Sequence, residues 1–600
     1  MNSTKLENSR PSLRYKTRKQ LFGMLGWSWI QIDYVGWWIR EEWFDRIAGP
    51  HGLKWKEWQN SGQIHVVKDG PLRTVYHVPI GLSGIYIKHY RVPGLRARAR
   101  QWIRGGKARN EGDKALQLAA IGIPTINPLA LGEERKFGMI YENYLVTEEI
   151  AGVEPLDRFL EIKLAGFDPI RVDKIRRLIG EELARLCARL HKSGLVHGDF
   201  HPGNLLVKLD QNDIPSLVLI DLDALRQRNV PLKLNEIRDN LAQLNNYFWS
   251  RSSRVERLRF LESYLKYRRR HNPLAPINMG RFARDIETAT RTWAERLWRR
   301  WARRGQGTNK YYHIVTAPST WSVIHRSLDS DSMRSVVEDP ERLIYAPDAV
   351  ILKHSRSSTV AEVTIETTEG DKRVVIKKIP TLKPAEFWLG WLRKPRAWRA
   401  WGAAGPLVAR SIPTPIPLAY IAKGSPGTSS GIARISPCAT FTILERPEGM
   451  VSLSQHMETT LIQMPMEMQL KAVLQSVKAI AKVVRHMHEK SVSHRDLKAA
   501  NILVRPLEDG SWREMVLIDL VGVSLSHPLP YKIRVQNLAR LAISFQSHGL
   551  FQNTTGLRFL ISYLPLAYLP RKAWKGLWRD VQAEVERKIK RNNRFGRPLS

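Results

Sequence analysis

Two carboxylates and an amide recur together in this chain, at a spacing that suits phosphoryl transfer. In SVSHRDLKAANILV (491–504), Asp496 lies five residues before Asn501, and Asp519 closes the apolar run VLID 18 residues after Asn501. In such a set one carboxylate orients a hydroxyl nucleophile, while the amide oxygen and the second carboxylate hold Mg²⁺ on nucleotide phosphates. The pattern also stands 297 residues upstream, where LVHGDFHPGNLLV (195–207) carries Asp199 and Asn204 and LVLID (217–221) ends in Asp221. An isolated HxD or an apolar strand ending in Asp is common. The ordered conjunction, found twice, is what needs explaining.

The elements that must position these residues also come in two copies. QIHVVKDGPLRTVYHVPI (63–80) and GIYIKHYRV (84–92) read as three short strands, the last carrying Lys88. A helical segment follows over 107–131, and its Glu111, 23 residues after Lys88, suits an ion pair that positions the lysine. NYLVTEEI (143–150) reads as a strand leading into a hinge, and IGEELARLCARLHK (179–192) as a helix with one apolar face. Helices rich in Arg and Trp are expected over 235–303. In the second copy LKHSRSSTVAEVTI (352–365) aligns on 67–80, VVIKK (374–378) supplies Lys377, SIPTPIPLA (411–419) repeats GIPTINPLA (122–130), and FTILER (441–446) repeats the hinge strand. NLARL…LRFLISYL (537–564) echoes NLAQL…LRFLESYL (240–265). A repeat this long is a tandem domain duplication, because solenoid periods run to roughly 20–50 residues. The expected division is a flexible basic tail (1–20), a first domain (21–315), a junction (316–348) and a second domain (349–600).

A length of 600 residues exceeds one core, and 43% hydrophobic content excludes wholesale disorder. Cys187 and Cys438 form no CxxC and are expected as small buried apolar residues in a reducing compartment. A net charge of +38 marks a polyanion as partner, and 20 tryptophans tilt the choice towards a membrane surface. The Trp-rich stretch 21–60 has a roughly helical pattern, either capping the first unit or lying on a membrane. No uncharged apolar run reaches the length of a membrane span, and no signal peptide is expected. The expected location is cytoplasmic, peripheral on the inner face of the membrane.

On these motifs the chain resembles the protein-kinase-like superfamily and, within it, the bacterial lipopolysaccharide kinase (Kdo/WaaP-type) family. HRDLKAAN resembles the protein-kinase catalytic loop, and HGDFHPGN that of small-molecule kinases such as aminoglycoside phosphotransferases. KDGPLRTV/KHSRSSTV, GIPT/SIPT and the NLAxL…LRFLxxYL tail carry the family-level likeness, over roughly residues 60–310 and 330–595. The resemblance implies an α+β fold of two tandem bilobal domains, each with a small β-rich lobe and a larger helical lobe. It implies ATP and Mg²⁺ as cofactors and an anionic glycolipid as acceptor. It assigns Lys88 and Glu111, with Lys377 in the second unit, to nucleotide phosphates. Asp199 and Asp496 become the catalytic carboxylates, and Asn204, Asp221, Asn501 and Asp519 the metal ligands. Lys498 would steady the transferred phosphoryl, where the first unit has His201.

The departures are as informative. Neither unit has a GxGxxG loop, which leaves backbone N–H groups with Arg73 or Ser357 to cradle phosphate. Where Glu111 has its counterpart, 23 residues after Lys377, stands Ala400, so Glu386 or a different arrangement must position that lysine. The first unit thus has the fuller set, and the second is either a kinase or a regulatory pseudokinase. A protein Ser/Thr hydroxyl is the alternative acceptor. A nucleic-acid binder would leave both carboxylate sets unexplained.

Overall fold

The computed structural model describes residues 26–594 apart from 33, 50–51, 71, 82, 229, 272–276, 368–369, 382–394, 526–528, 547–552 and 565–572. The tail 1–20 and Glu386 lie outside the described residues. The chain forms two compact units, Met1–Ala294 and Glu295–Ser600.

Each unit begins with a seven-stranded antiparallel sheet, and the two sheets have the same order. In the first, the order is Trp27–Ile32, Val35–Arg40, Pro128–Lys136, Met139–Glu148, Ser83–Arg91, Arg73–Ile80, His65–Lys68. In the second it is Tyr312–Ala317, Thr320–His325, Pro417–Lys423, Ala439–Glu445, Gly370–Pro380, Ser358–Thr367, Val350–Ser355. Strand alternation decides which side chains meet the cleft. Ile85 and Ile87 are buried on one face of Ser83–Arg91, which leaves Lys88 and Tyr90 together on the other. Lys88 pairs with Leu145 of the neighbouring strand, and Lys377 with Thr442 at the same place in the second sheet.

Helix Lys107–Ala120 packs on the first sheet and Arg396–Ala409 on the second. Gly112 lets the first approach closely, because a Cβ there would come within 2.8 Å of Leu131 Cδ2. The helical lobe is built on Pro169–Lys192, capped by Asp168, whose carboxylate accepts the Ile170 and Arg171 N–H groups. Its buried stripe of Ile175, Ile179, Leu183, Leu186 and Leu190 follows the helical period and enters the unit's main core. Met466–Glu489 has the same place in the second unit. Among the described residues, the first lobe continues with Leu234–Phe248, Arg254–His271 and the part of Met279–Arg304 up to Ala294, and the second with Tyr531–Gln546, Asn553–Tyr563 and Ala573–Arg594.

Four readings change. The stretch after Gly26 is a β-hairpin on the sheet edge, and Trp27, Trp37, Trp43 and Trp58 are buried in the cores, not held for a membrane. The segment 107–131 ends its helix at Ala120, and 128–131 is strand, paired along Met139–Glu148. Residues 316–348, expected as a junction, contain the strand Thr320–His325 and the helix Asp331–Glu338, whose Met333, Val336 and Val337 enter a core of the second unit. Cys187 is buried but Cys438 is exposed, its Sγ 2.9 Å from Ser425 Oγ. Among the described residues, no helix is long and apolar enough to cross a membrane.

Candidate active site

The loops that carry Asp199 and Asp496 are built from short strands that bring distant residues together. In the first unit Leu195–His197 pairs with Leu225–Gln227, and Leu205–Leu209 pairs with Pro215–Leu219. This draws Asp199, Asn204 and Asp221 into one site. Asn204 Nδ2 donates to the Asp199 carbonyl at 2.8 Å, and the Ile220 N–H donates to the Asn204 carbonyl at 3.0 Å. The second unit repeats both bonds, Asn501 to Asp496 at 2.8 Å and Ile518 to Asn501 at 3.0 Å, and adds Asn501 Nδ2 to Asp496 Oδ2 at 2.9 Å. Each amide thus spends its N–H₂ on the loop and keeps its oxygen for a ligand.

Asp221 and Asp519 both adopt the left-handed backbone region, with φ of 57° and 58°. A non-glycine residue there costs on the order of 1–3 kcal/mol, so the surrounding bonds must impose it. Buried histidines do much of this. His197 Nε2 donates to the Asp221 carbonyl (3.2 Å) while its Nδ1 accepts the Asp199 N–H (3.3 Å). His494 does the same between Ile518 and Asp496, at 3.0 and 3.3 Å. Only the neutral Nε2–H tautomer can serve both partners. Burial pushes the pKa of each ring down and keeps it neutral.

Behind each loop stands a second bracket. Asn240 Nδ2 donates to the His197 carbonyl at 2.7 Å, and its Oδ1 meets His191 Nε2 at 3.1 Å, while His191 Nδ1 meets the Tyr264 hydroxyl at 2.9 Å. In the second unit Asn537 Oδ1 accepts the His494 N–H at 2.9 Å, and His488 Nδ1 meets the Tyr563 hydroxyl at 2.8 Å. These Asn and Tyr residues are the repeated ones of the NLAxL…LRFLxxYL tail, a signal visible in the sequence whose purpose was not.

The lysines separate the units. Lys88 Nζ lies 2.5 Å from Glu111 Oε1, and the other carboxylate oxygen accepts the Tyr90 hydroxyl at 2.7 Å. Glu111 is fully buried. Burial and this carboxylate drive the Tyr90 pKa far above its ordinary value, so the phenol stays a donor. In the second unit Ala400 packs against the apolar core and Ile379 stands two residues after Lys377, as Tyr90 does after Lys88. Lys377 binds Asp519 Oδ1 instead, at 2.7 Å. Burial alone would raise the Asp519 pKa, but Lys377, with Lys353 behind it, outweighs burial and holds the carboxyl low.

Arg73 Nη1 lies 3.6 Å from Asp221 Oδ1. Ser357 Oγ lies 3.4 Å from Ser355 Oγ, and Lys353 supplies a cation near Asp519 that the sequence motifs did not point to. A cationic side chain thus already sits at each strand-terminal carboxylate, which is the electrostatic environment a divalent ion would meet and replace. His201 Nε2 and Lys498 Nζ stand alike, 3.8 Å from Asp199 and Asp496 respectively. A cavity of about 1080 Å³ also opens in the first unit among Leu160, Ile179, Leu183, Leu244, Phe248 and Ile286, and none of the candidate site residues lines it.

Fold and site together define a kinase-like phosphotransferase with two bilobal units. Residues 96–264 and 386–563 match the lipopolysaccharide kinase (Kdo/WaaP) family, and the chain belongs to that family, whose members are kinases. Among solved structures, it is similar to WaaP in complex with acyl carrier protein, with 22% identity over 40% of this chain and 90% of that one, at a TM-score of 0.28. It is also similar to WbdD, with 20% identity over 37% of this chain and 49% of that one, at a TM-score of 0.23. A second WbdD structure, described as a bifunctional kinase-methyltransferase, gives 19% identity over 36% and 47%, at 0.23. No curated protein matches the chain.

Proposed function

We propose that this kinase transfers the γ-phosphoryl of ATP to a hydroxyl of a lipid-linked sugar, in the heptose/Kdo region of the lipopolysaccharide core, at the cytoplasmic membrane face. The observation that carries the reading is the assembly of lysine, catalytic-loop carboxylate, amide and strand-terminal carboxylate in each unit. Asp199 and Asp496, both exposed, accept the hydrogen bond of the acceptor hydroxyl and aim its oxygen in line with the phosphoryl. Lys88, fixed by Glu111, holds the nucleotide phosphates in the first unit. Asn204 with Asp221, and Asn501 with Asp519, would hold Mg²⁺, which would supply positive charge to offset that of the phosphates. His201 and Lys498 steady the transferred group. The net charge of +38 draws the protein to an anionic glycolipid surface.

A second reading concerns the second unit alone. The Lys377–Asp519 pair joins the phosphate lysine to a metal carboxylate, an arrangement that suits a regulatory unit unless nucleotide separates them. The test is transfer from radiolabelled ATP to glycolipid and protein fractions by wild type, D199N and D496N. Label in glycolipid, lost in stages with each Asp→Asn change, is expected. Label confined to protein, or full transfer by the D199N/D496N double variant, would overturn the proposal.

A further inference from the structure

The two catalytic loops face different surroundings on the acceptor side. Helix Tyr531–Gln546 is fixed to the second loop at two points one helical repeat apart. Asn537 Oδ1 accepts the His494 N–H at 2.9 Å, and Ser544 Oγ accepts the Ala499 N–H at 3.1 Å. Arg540 lies between them on that face, three residues after Asn537, opposite the stretch that contains Asp496. Helix Ala573–Arg594 packs alongside through Leu577, Val581 and Val585, which share a core with Leu538 and Leu541. Lys588, three residues beyond Val585, comes up half-buried beside Arg540 and within the field of Asp496.

The cluster has more positive charge than its carboxylates balance. Arg495 and Arg591 add like charge around Arg540. Glu584 is engaged by Arg587, through bonds of 2.8 and 2.6 Å. Neither Arg540 nor Lys588 has an ion-pair partner among the described residues. The first unit lacks both cations. Counting the same 297 residues back gives Gln243, whose Oε1 accepts the Phe200 N–H at 3.3 Å. Matching the buried positions Phe282, Ile286 and Thr290 to Leu577, Val581 and Val585 puts Trp293 where the second unit has Lys588.

We propose that Arg540 and Lys588 form an anion subsite beside Asp496, so that the second unit takes an acceptor already carrying a phosphate or carboxylate near the hydroxyl, while the first unit does not require one. A reaction that places an anionic group on the sugar must therefore precede the second unit's step. Crowding among the cations supports this. Burial, then Arg540, brings the Lys588 pKa down to about 8, a destabilised ammonium that a bound anion would relieve.

The inference rests on the second unit being a glycolipid kinase, and the test separates the two claims. The full chain carrying D199N, which leaves only the second unit, is assayed on core glycolipid before and after phosphatase treatment and carboxyl reduction. R540Q and K588M are each expected to raise the acceptor KM roughly tenfold or more, with kcat and the KM for ATP within about twofold. K588R is expected to restore most of the affinity, and the phosphatase and reduction arms show which anion is read. In parallel, inorganic phosphate is titrated calorimetrically into the full chain saturated with a non-hydrolysable ATP analogue. Binding that weakens about tenfold in R540Q/K588M is expected. An unchanged acceptor KM, or a change in ATP KM or kcat alone, would overturn the subsite. Phosphate binding that depends on both cations, with no glycolipid labelled by any variant, would keep the subsite and remove the glycolipid assignment.

Discussion

Glu111→Ala is the perturbation that tests most directly whether the buried carboxylate organises the first site. Both Glu111 oxygens are committed, to Lys88 at 2.5 Å and to Tyr90 at 2.7 Å, and the Lys88 side chain is only 15% exposed. Removing the carboxylate strands a largely buried ammonium, which costs about 3–5 kcal/mol, and a phenol, which costs about 1–3 kcal/mol if it finds no other partner. Lys88 has an escape that the second unit displays, because Lys377 rests on the strand-terminal carboxylate at 2.7 Å. The loss is therefore expected near the lower end, about 3 kcal/mol. In the double variant Y90I/E111A, which installs the residues the second unit carries, the costs should fall short of additive by about 0.5–3 kcal/mol. Hydrogen-exchange mass spectrometry on peptides covering Ser83–Arg91 and Lys107–Ala120 reads these changes locally in the full chain. With D496N silencing the second unit, E111A should also lower turnover roughly 100-fold, the scale for misplacing a positioned reactant. Unchanged exchange together with turnover within about threefold of the parent would refute the positioning role.

Lys377→Met should make Asp519 a liability. Its native pKa is held low, so it contributes stability above the ordinary carboxylate pKa of about 4, lost as pH falls through the native value. Without Lys377, burial prevails and that contribution disappears. The stability gap between wild type and K377M should be open above about pH 4 and narrow as pH falls below it; a constant gap across denaturation curves on both sides of that pH contradicts the pairing. The buried His191 and His488 have pKa values brought down by burial to about 4 and about 3. They favour the native state above the unfolded value of about 6.5, and this is lost as pH falls towards 4, on the order of 3 kcal/mol each. H191Q/H488Q should flatten the pH dependence of the denaturation midpoint between pH 6.5 and 4, and a slope identical to wild type would exclude these histidines as its source.

Much of the fold and site was legible because local pattern and chemistry coincide. The three strands expected from 63 to 92 are present at His65–Lys68, Arg73–Ile80 and Ser83–Arg91. The Lys88–Glu111 spacing pointed to a pair that is in fact bonded. The edge hairpin Trp27–Arg40 was not legible, since its burial comes from pairing with Pro128–Lys136, almost a hundred residues away. The same holds for Thr320–His325, whose partner is Pro417–Lys423. Tryptophan count could not say that Trp27, Trp37, Trp43 and Trp58 would be enclosed in the cores, because composition carries no information about packing.

By itself the sequence determined the order of chemistry-bearing residues, their duplication, and the missing glutamate at Ala400. These are properties of residue type and spacing along one chain. Tertiary structure decided what each residue meets: that Lys377 turns to Asp519, that His197 and His494 clamp their loops as neutral rings, and that the helix bearing Arg540 is anchored on the loop of Asp496 with the helix of Lys588 packed against it. Those outcomes depend on short-range contacts between elements far apart in sequence, where a difference of a few ångströms sets both charge and hydrogen bonding.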